Sequence, residues 1–348
     1  MPDSTVLPDS GSLNLRDKVN PAKVGVLIVH GIGTSRANYS EKFRKRLKSK
    51  LLKSYGITEP HDVCFEEVFW GALTKSGQPE ADINNQVFHG KSVRRQGIRS
   101  IVLRALADAA AYQDLDRDNR KRAFDFCEAI DRTERQQMDT TYDRVNDSMR
   151  RSLSNLASRV EPNSPLIICA HSFGGQVVNC YFSDLAHDNN AKRDKALGIV
   201  RGTAMERGET LAAIVTFGCN IPAFAFATDP AEVRPVAVPS ASLPEFAKAL
   251  KAENRNAWRN YYHRGDVLGF PLGTINAKYQ ALVEAIEVKY FNWMFDIRGA
   301  HAGYWDNKTI IKDLADLICL ARSKSEASPG AAASGILERI RAPLETGQ

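Results

Sequence analysis

The sequence predicts an α/β fold, with a mostly parallel sheet of about six strands and helices on both of its faces. Apolar runs of strand length alternate with segments of helical periodicity along most of the chain, which is typical of a parallel sheet covered by helices. In LIICAHSFGGQVV (166–178), a strand-like run changes to a helix-like run at a cluster of small residues around one serine. The composition, 43% hydrophobic and 25% charged with a mean hydropathy of −0.34, is that of a soluble globular chain.

Six apolar runs are the predicted strands, and the segments between them predict helices. The helical pattern is clearest at 144–160, before the third strand, and at 309–324, after the last one. We place one domain with insertions over 23–322. The predicted strands are 23–30, 62–69, 165–170, 211–218, 258–263 and 288–297.

The connection between the second and third strands predicts additional structure. It spans about a hundred residues, far more than a simple connection from strand to helix needs. Within it, 93–112 has a helical pattern and the charged residues of 114–126 predict a loop or short helix. We therefore expect a helical cap or lid at about 77–140.

Both ends of the chain are predicted tails. Residues 1–22 mix Pro, Ser and Asp and lack the apolar stretch of a secretory signal, so we expect a cytoplasmic location. Residues 323–348 are linker-like and are expected to be flexible. No apolar segment approaches the roughly 18 residues that a membrane span needs.

The cysteine pattern excludes two classes of site. The six cysteines are scattered without CxxC spacing, and several lie in apolar runs, where a thiol behaves as a small hydrophobe. We therefore expect neither a zinc site nor a disulfide framework.

The densest basic stretch, EKFRKRLKSKLLKSYG (41–56), predicts an amphipathic surface helix. Phe43, Leu47, Leu51 and Tyr55 recur every four residues along one stripe, and lysines and arginines cover the rest. The ordinary interpretation is a solvated face, because a charge run carries little specificity. The alternative is attraction for an anionic surface. We keep an anionic membrane as a candidate partner and expect no nucleic acid.

Ser172 stands where the third predicted strand ends and a helix begins. In a parallel sheet, reactive side chains collect at the carboxyl ends of the strands. The neighbouring Ala170, Gly174 and Gly175 are small, as a sharp turn from strand to helix requires. Residues 170–174 resemble the nucleophile elbow of α/β-hydrolases, G-x-S-x-G, with Ala in place of the first Gly. The resemblance implies that Ser172 is a catalytic nucleophile.

The resemblance is to lipase-like and esterase-like members of the α/β-hydrolase superfamily and covers about 23–322. Only about twenty residues precede the first predicted strand. We therefore expect that the antiparallel strands that open the full superfamily sheet are absent.

A second motif follows the first strand. His30, Gly31, Ile32 and Gly33 resemble the HG motif that precedes the oxyanion hole in this superfamily. The resemblance implies that the backbone N–H of Ile32, or of its immediate neighbour, and that of Phe173 stabilise an oxyanion. His30 is expected to brace the loop, and an ordinary turn is the alternative for the two glycines.

A serine hydroxyl needs a base to remove its proton and a carboxylate to orient that base. Asp266 follows the fifth predicted strand and His301 follows the sixth, an order similar to that of the superfamily. Glycines on both sides of His301 predict a loop there. Asp229 and Asp296 are the competing carboxylates, and His171 is expected to be structural.

The implied reaction is hydrolysis of a small-molecule or lipid carboxylic ester through an acyl-enzyme intermediate. This reaction requires no metal or cofactor. Ile221, Phe224 and Phe226 follow the fourth strand and could form an apolar wall for the acyl group, or the core of a short helix. Two other functions stay open. One is hydrolysis of an amide or thioester by the same residues, and the other is a hydrolase scaffold that binds a partner without catalysis.

Overall fold

A computed structural model describes residues 21–32, 34, 36–71, 112, 141–187, 202–225, 233–289 and 297–325. Strands and helices alternate through these residues, with 3₁₀ turns at Leu272–Thr274 and Gly303–Asp306. The strands are β1 (Val24–Val29), β2 (Val63–Val68), β3 (Leu166–His171), β4 (Leu211–Phe217), β5 (Trp258–Tyr262) and β6 (Val283–Glu287). The helices are α1 (Glu41–Tyr55), α2 (Thr141–Ala157), α3 (Phe173–His187), α4 (Ile221–Ala225), α5 (Pro244–Ala252), α6 (Ala277–Leu282), α7 (Ile297–Ala302) and α8 (Lys308–Ser325).

The six strands form one parallel sheet in the order β2-β1-β3-β4-β5-β6. The chain passes from β1 outward to β2 and then returns to the other side of β1 to form β3. The strand order therefore reverses between β1 and β3, and the carboxyl ends of these two strands are adjacent. This arrangement confirms the predicted fold class, an α/β fold with a parallel sheet of six strands.

Helices cover both faces of the sheet. α2 and α3 contact each other and pack on β1. α1 and α5 both contact α8, which lies on β1 and β4. β1 and β4 are buried throughout, so their nearly continuous apolar sequences are those of strands covered on both faces. No described helix is long and apolar enough to cross a membrane.

The first five predicted strands agree with the structure to within one residue at each end, but the sixth does not. The sixth strand of the described sheet is β6, Val283–Glu287, which directly follows α6 and ends before the predicted segment at 288–297. Of that segment, 288 and 289 are not in a strand and 297 begins α7. Among the described strands β6 lies at the edge of the sheet, only Val283 in it is buried, and its glutamates give it a weak apolar pattern. The apolar and aromatic residues of 288–297 predict a strand more strongly than β6 does. Residues 290–296 lie outside the described part of the chain.

Several other predictions fall outside the described residues. They are the tail at 1–20, the C-terminal segment 326–348, and the cap at 77–140 except for Tyr112. The cap therefore stays a prediction. All described strands run parallel, while the segment before β1 that bears on the missing antiparallel strands lies in the undescribed part.

Candidate active site

Ser172 occupies a strained turn at the carboxyl end of β3. Its φ is +55°, in the left-handed region that residues other than glycine seldom adopt. The turn is held by two backbone hydrogen bonds, from Ser172 N–H to the Phe217 carbonyl at 3.0 Å and from Gly175 N–H to the Ser172 carbonyl at 3.0 Å. Helix α3 begins at the next residue. The fold therefore holds the Ser172 side chain at the carboxyl edge of the sheet.

The turn packs directly against the end of β1, and this contact explains why residues 174 and 31 are glycines. A Cβ on Gly174 would lie 2.6 Å from the His30 carbonyl oxygen, and one on Gly31 would lie 2.5 Å from Ser172 Cβ. Neither position has room for a side chain. Ala170 is fully buried in β3, and Gly33 lies outside the described residues.

His301 lies beside Ser172. Its Nε2 is 2.9 Å from Ser172 Oγ, and its Nδ1 is 2.9 Å from Asp266 Oδ2. The Ser172 hydroxyl can therefore donate to Nε2 while Nδ1–H donates to the carboxylate. The predicted loop around His301 is wrong, because the residue lies in the short helix α7. The imidazole is held by its hydrogen bonds to Ser172 and Asp266 and by the His171 ring, whose centroid lies 4.8 Å from its own.

Asp266 follows β5 and is buried, with a carboxylate that accepts from three donors. Besides His301 Nδ1–H, Leu268 N–H donates to Oδ1 at 3.0 Å and the Tyr304 hydroxyl donates to Oδ2 at 3.0 Å. Burial raises the pKa of Asp266, but these hydrogen bonds and the nearby His301 outweigh it, and the net pKa is lowered. The group is a carboxylate at neutral pH. The competing residues Asp229 and Asp296 lie outside the described part of the chain.

Tyr304 is a site residue that sequence reasoning missed. The sequence indicates only an aromatic residue near the rim of the site, whereas the structure buries it completely with its hydroxyl on Asp266. No local pattern identifies this role, because Tyr304 lies 38 residues from Asp266 along the chain.

His171 holds the backbone of His301. Its Nε2–H donates to the His301 carbonyl oxygen at 2.9 Å, and the two ring centroids are 4.8 Å apart. Burial among Phe217 and other rings, together with the nearby His301, lowers the pKa of His171 to about 3. His171 is therefore a neutral donor at physiological pH, and it links the residue before the serine to the proposed base.

His30 holds the turn after β1. Trp70 N–H donates to His30 Nε2 at 3.1 Å, so the proton lies on Nδ1, which donates to the Gly31 carbonyl at 2.6 Å. Burial lowers the pKa of His30 to about 4, with the bond to Gly31 as a smaller opposing effect. This geometry fits a bracing residue, as the sequence predicts.

The candidate oxyanion donors flank Ser172. Phe173 is the first residue of α3, so its N–H has no acceptor within the helix and lies at the positive end of the helix dipole. Ile32 follows Gly31, whose backbone lies against Ser172, and is partly buried. The oxyanion role of both N–H groups stays a prediction.

Aromatic rings surround the Phe173 side chain. Its centroid lies 5.3 Å from that of Phe224, 5.3 Å from that of Tyr112 and 5.9 Å from that of Trp70. Tyr112 falls within the range predicted as the cap and is buried beside Phe173. Of the other predicted wall residues, Ile221 is buried in the core, and Phe226 lies outside the described residues.

Comparisons with known proteins add little to these contacts. No protein-family model fits the chain, and no curated protein is similar to it in sequence. A crystal structure of dienelactone hydrolase from Anabaena variabilis is similar with a TM-score of 0.31 and 12% identity, over 82% of this chain and 84% of that chain. A likeness this distant carries no argument about function.

The chemistry available at the site follows from its hydrogen bonds. A hydroxyl, an imidazole and an ionised carboxylate are connected in one chain, and the serine sits at a helix N-terminus. Such an arrangement can activate the hydroxyl for attack on a carbonyl carbon and can stabilise the negative charge that develops on its oxygen. In the described residues, no group of three or more side chains is arranged to bind a metal ion.

The Tyr304→Phe variant tests the bond to Asp266 through stability. The ring packing is kept, but a buried carboxylate loses one donor, so we expect the free energy of unfolding at pH 7 to fall by about 2 kcal/mol. The folded-state pKa of Asp266 is lowered, so the stability that its bonds contribute is present above about pH 4. It is lost as the pH falls through the lowered pKa, and the two proteins should then converge.

Urea denaturation between pH 7 and pH 3 measures this difference. Tyr262→Phe, at a half-buried tyrosine on β5, is the control. A Tyr304→Phe loss that does not change with pH, or no loss, would contradict the assignment.

Proposed function

We propose that the chain is a serine hydrolase that cleaves carboxylic esters, with Ser172 as nucleophile, His301 as general base and Asp266 as orienting carboxylate. The observation that carries the proposal is the hydrogen-bond chain from Ser172 Oγ through both nitrogens of His301 to Asp266, each bond about 2.9 Å long. A protein that only binds a partner without catalysis would not need these three groups hydrogen-bonded to one another.

The reaction begins with attack of Ser172 Oγ on the ester carbonyl carbon as its proton passes to His301 Nε2. Asp266 stabilises the resulting imidazolium, and the N–H groups of Phe173 and Ile32 donate to the oxyanion. Each such donor typically lowers the barrier by about 3 kcal/mol. When the C–O bond breaks, His301 protonates the leaving alcohol and an acyl-Ser172 ester remains. Water, deprotonated by His301, then releases the acid and restores the serine.

Apolar surface near the site supports an ester with an apolar acyl group. Phe224 is partly exposed and packs on Phe173, directly after the nucleophile. Val267 and Phe270, in the loop that carries Asp266, are 48% and 37% exposed, so this loop also presents apolar surface. Amides and thioesters react through the same groups, so the assay compares all three.

A fluorophosphonate probe tests the nucleophile. The wild-type chain should be labelled, because the probe phosphonylates an activated serine and traps it, and Ser172→Ala should not be labelled. Ser158→Ala, at an exposed serine after α2, is the control and should label like the wild type. Folded wild-type protein that stays unlabelled, or labelling that survives in Ser172→Ala, would refute the proposal. A p-nitrophenyl ester series with an anilide and a thioester then ranks the substrates.

Replacement of His171 tests its positioning role. His171→Phe fills the same space without a donor to the His301 carbonyl, so His301 shifts and kcat should fall by up to about a hundredfold with little change in KM. His171→Gln keeps an N–H donor and should recover most of the loss. Ester hydrolysis and melting temperature are measured together. Equal kcat for both variants and the wild type would show that the hydrogen bond does not position His301.

A further inference from the structure

One face of α1 is continuously basic. Phe43, Leu47 and Leu51 are buried, which fixes the rotation of the helix and turns the opposite side outward. The outward side carries basic side chains and no acidic ones through its middle turns. Its cations are Lys42, Lys45, Arg46, Lys50 and Lys53.

Helix α8 extends this surface. It packs against α1, and a cleft of about 760 Å³ lies between them. Lys308 and Lys312 line the cleft from α8, opposite Arg46 and Lys50. We call the seven cations of α1 and α8 together the basic surface: Lys42, Lys45, Arg46, Lys50, Lys53, Lys308 and Lys312.

Most of this charge is not neutralised. Arg46 pairs with Asp306 at 2.5 Å, and Lys312 pairs with Asp316 at 2.8 Å. The other cations of the basic surface have no carboxylate partner in the described part of the chain. Five like charges on one face of a protein create a field that attracts anionic surfaces. The five are Lys42, Lys45, Lys50, Lys53 and Lys308.

We propose that the basic surface docks the protein on an anionic lipid membrane. Its chemistry favours lipid over nucleic acid, because six of its seven cations are lysines and its one arginine is paired with Asp306. Arginine, with its planar fork, is the usual reader of bases and phosphates, whereas lysine is a point charge suited to a diffuse surface potential. Leu52, 57% exposed on the same helix, adds an apolar contact beside the lysines.

The basic surface binds at the membrane surface without inserting, and it lies near the candidate active site. The apolar stripe of α1 is buried in the core, so the helix cannot turn over and insert into lipid. α1 begins after the turn that follows β1, and α8 begins a few residues after His301. Both helices therefore start at the sheet edge that holds Ser172. The inference concerns binding alone and does not rest on the proposed function.

Vesicle binding tests the inference with the full chain. The wild type should co-sediment with phosphatidylcholine vesicles that contain phosphatidylserine and not with phosphatidylcholine alone. Neutralising three lysines (K42Q, K45Q and K53Q) should weaken binding about a hundredfold, at about fivefold for each cation. Raising the salt until the Debye length falls from about 10 Å to about 3 Å should abolish binding.

A matched variant with K248Q, K251Q and K278Q removes the same charge from exposed lysines on α5 and α6 and should bind like the wild type. Both variants must melt at the wild-type temperature. Equal weakening in both would overturn the proposal in favour of net charge alone. Tighter binding to a single-stranded or duplex oligonucleotide than to the acidic vesicles, lost in the first variant, would overturn it in favour of nucleic acid.

Discussion

The site depends on the direct contact between the turn at Ser172 and the end of β1. The left-handed backbone of Ser172 brings the serine against Gly31. Because Gly174 has no side chain, the first turn of α3 can pack directly against the carbonyl oxygens at the end of β1. Because β1 and β3 are neighbours at the point where the strand order reverses, this contact places Ser172, a helix N-terminus and the turn at Ile32 together. Backbone strain at Ser172 is offset by the packing that it makes possible.

Three histidines near this contact have different roles because their surroundings differ. Burial lowers the pKa of His30 to about 4 and that of His171 to about 3, so both are neutral and serve as hydrogen-bonding braces. His301 alone of the three has a carboxylate on one ring nitrogen and a hydroxyl on the other. These different surroundings favour His301 as the base of the proposed reaction.

The sequence was sufficient for the parts of the fold that local pattern determines. Buried parallel strands are almost wholly apolar, so β1 and β3 could be located to within one residue, and strand ends then indicated Ser172 and Asp266. β6 could not be found, because an edge strand is half polar. The bonds from Tyr304 to Asp266 and from His171 to the His301 carbonyl join residues distant in sequence, so only the folded chain reveals them.

The central claim is that Ser172 and His301 act as one unit. The most direct measurement is kcat/KM for p-nitrophenyl acetate in Ser172→Ala, His301→Ala and the double variant. If His301 acts only by activating Ser172, the double variant should be no slower than either single variant. If instead the two losses multiply, the residues contribute independently, and the hydrogen bond between them is not the source of activity.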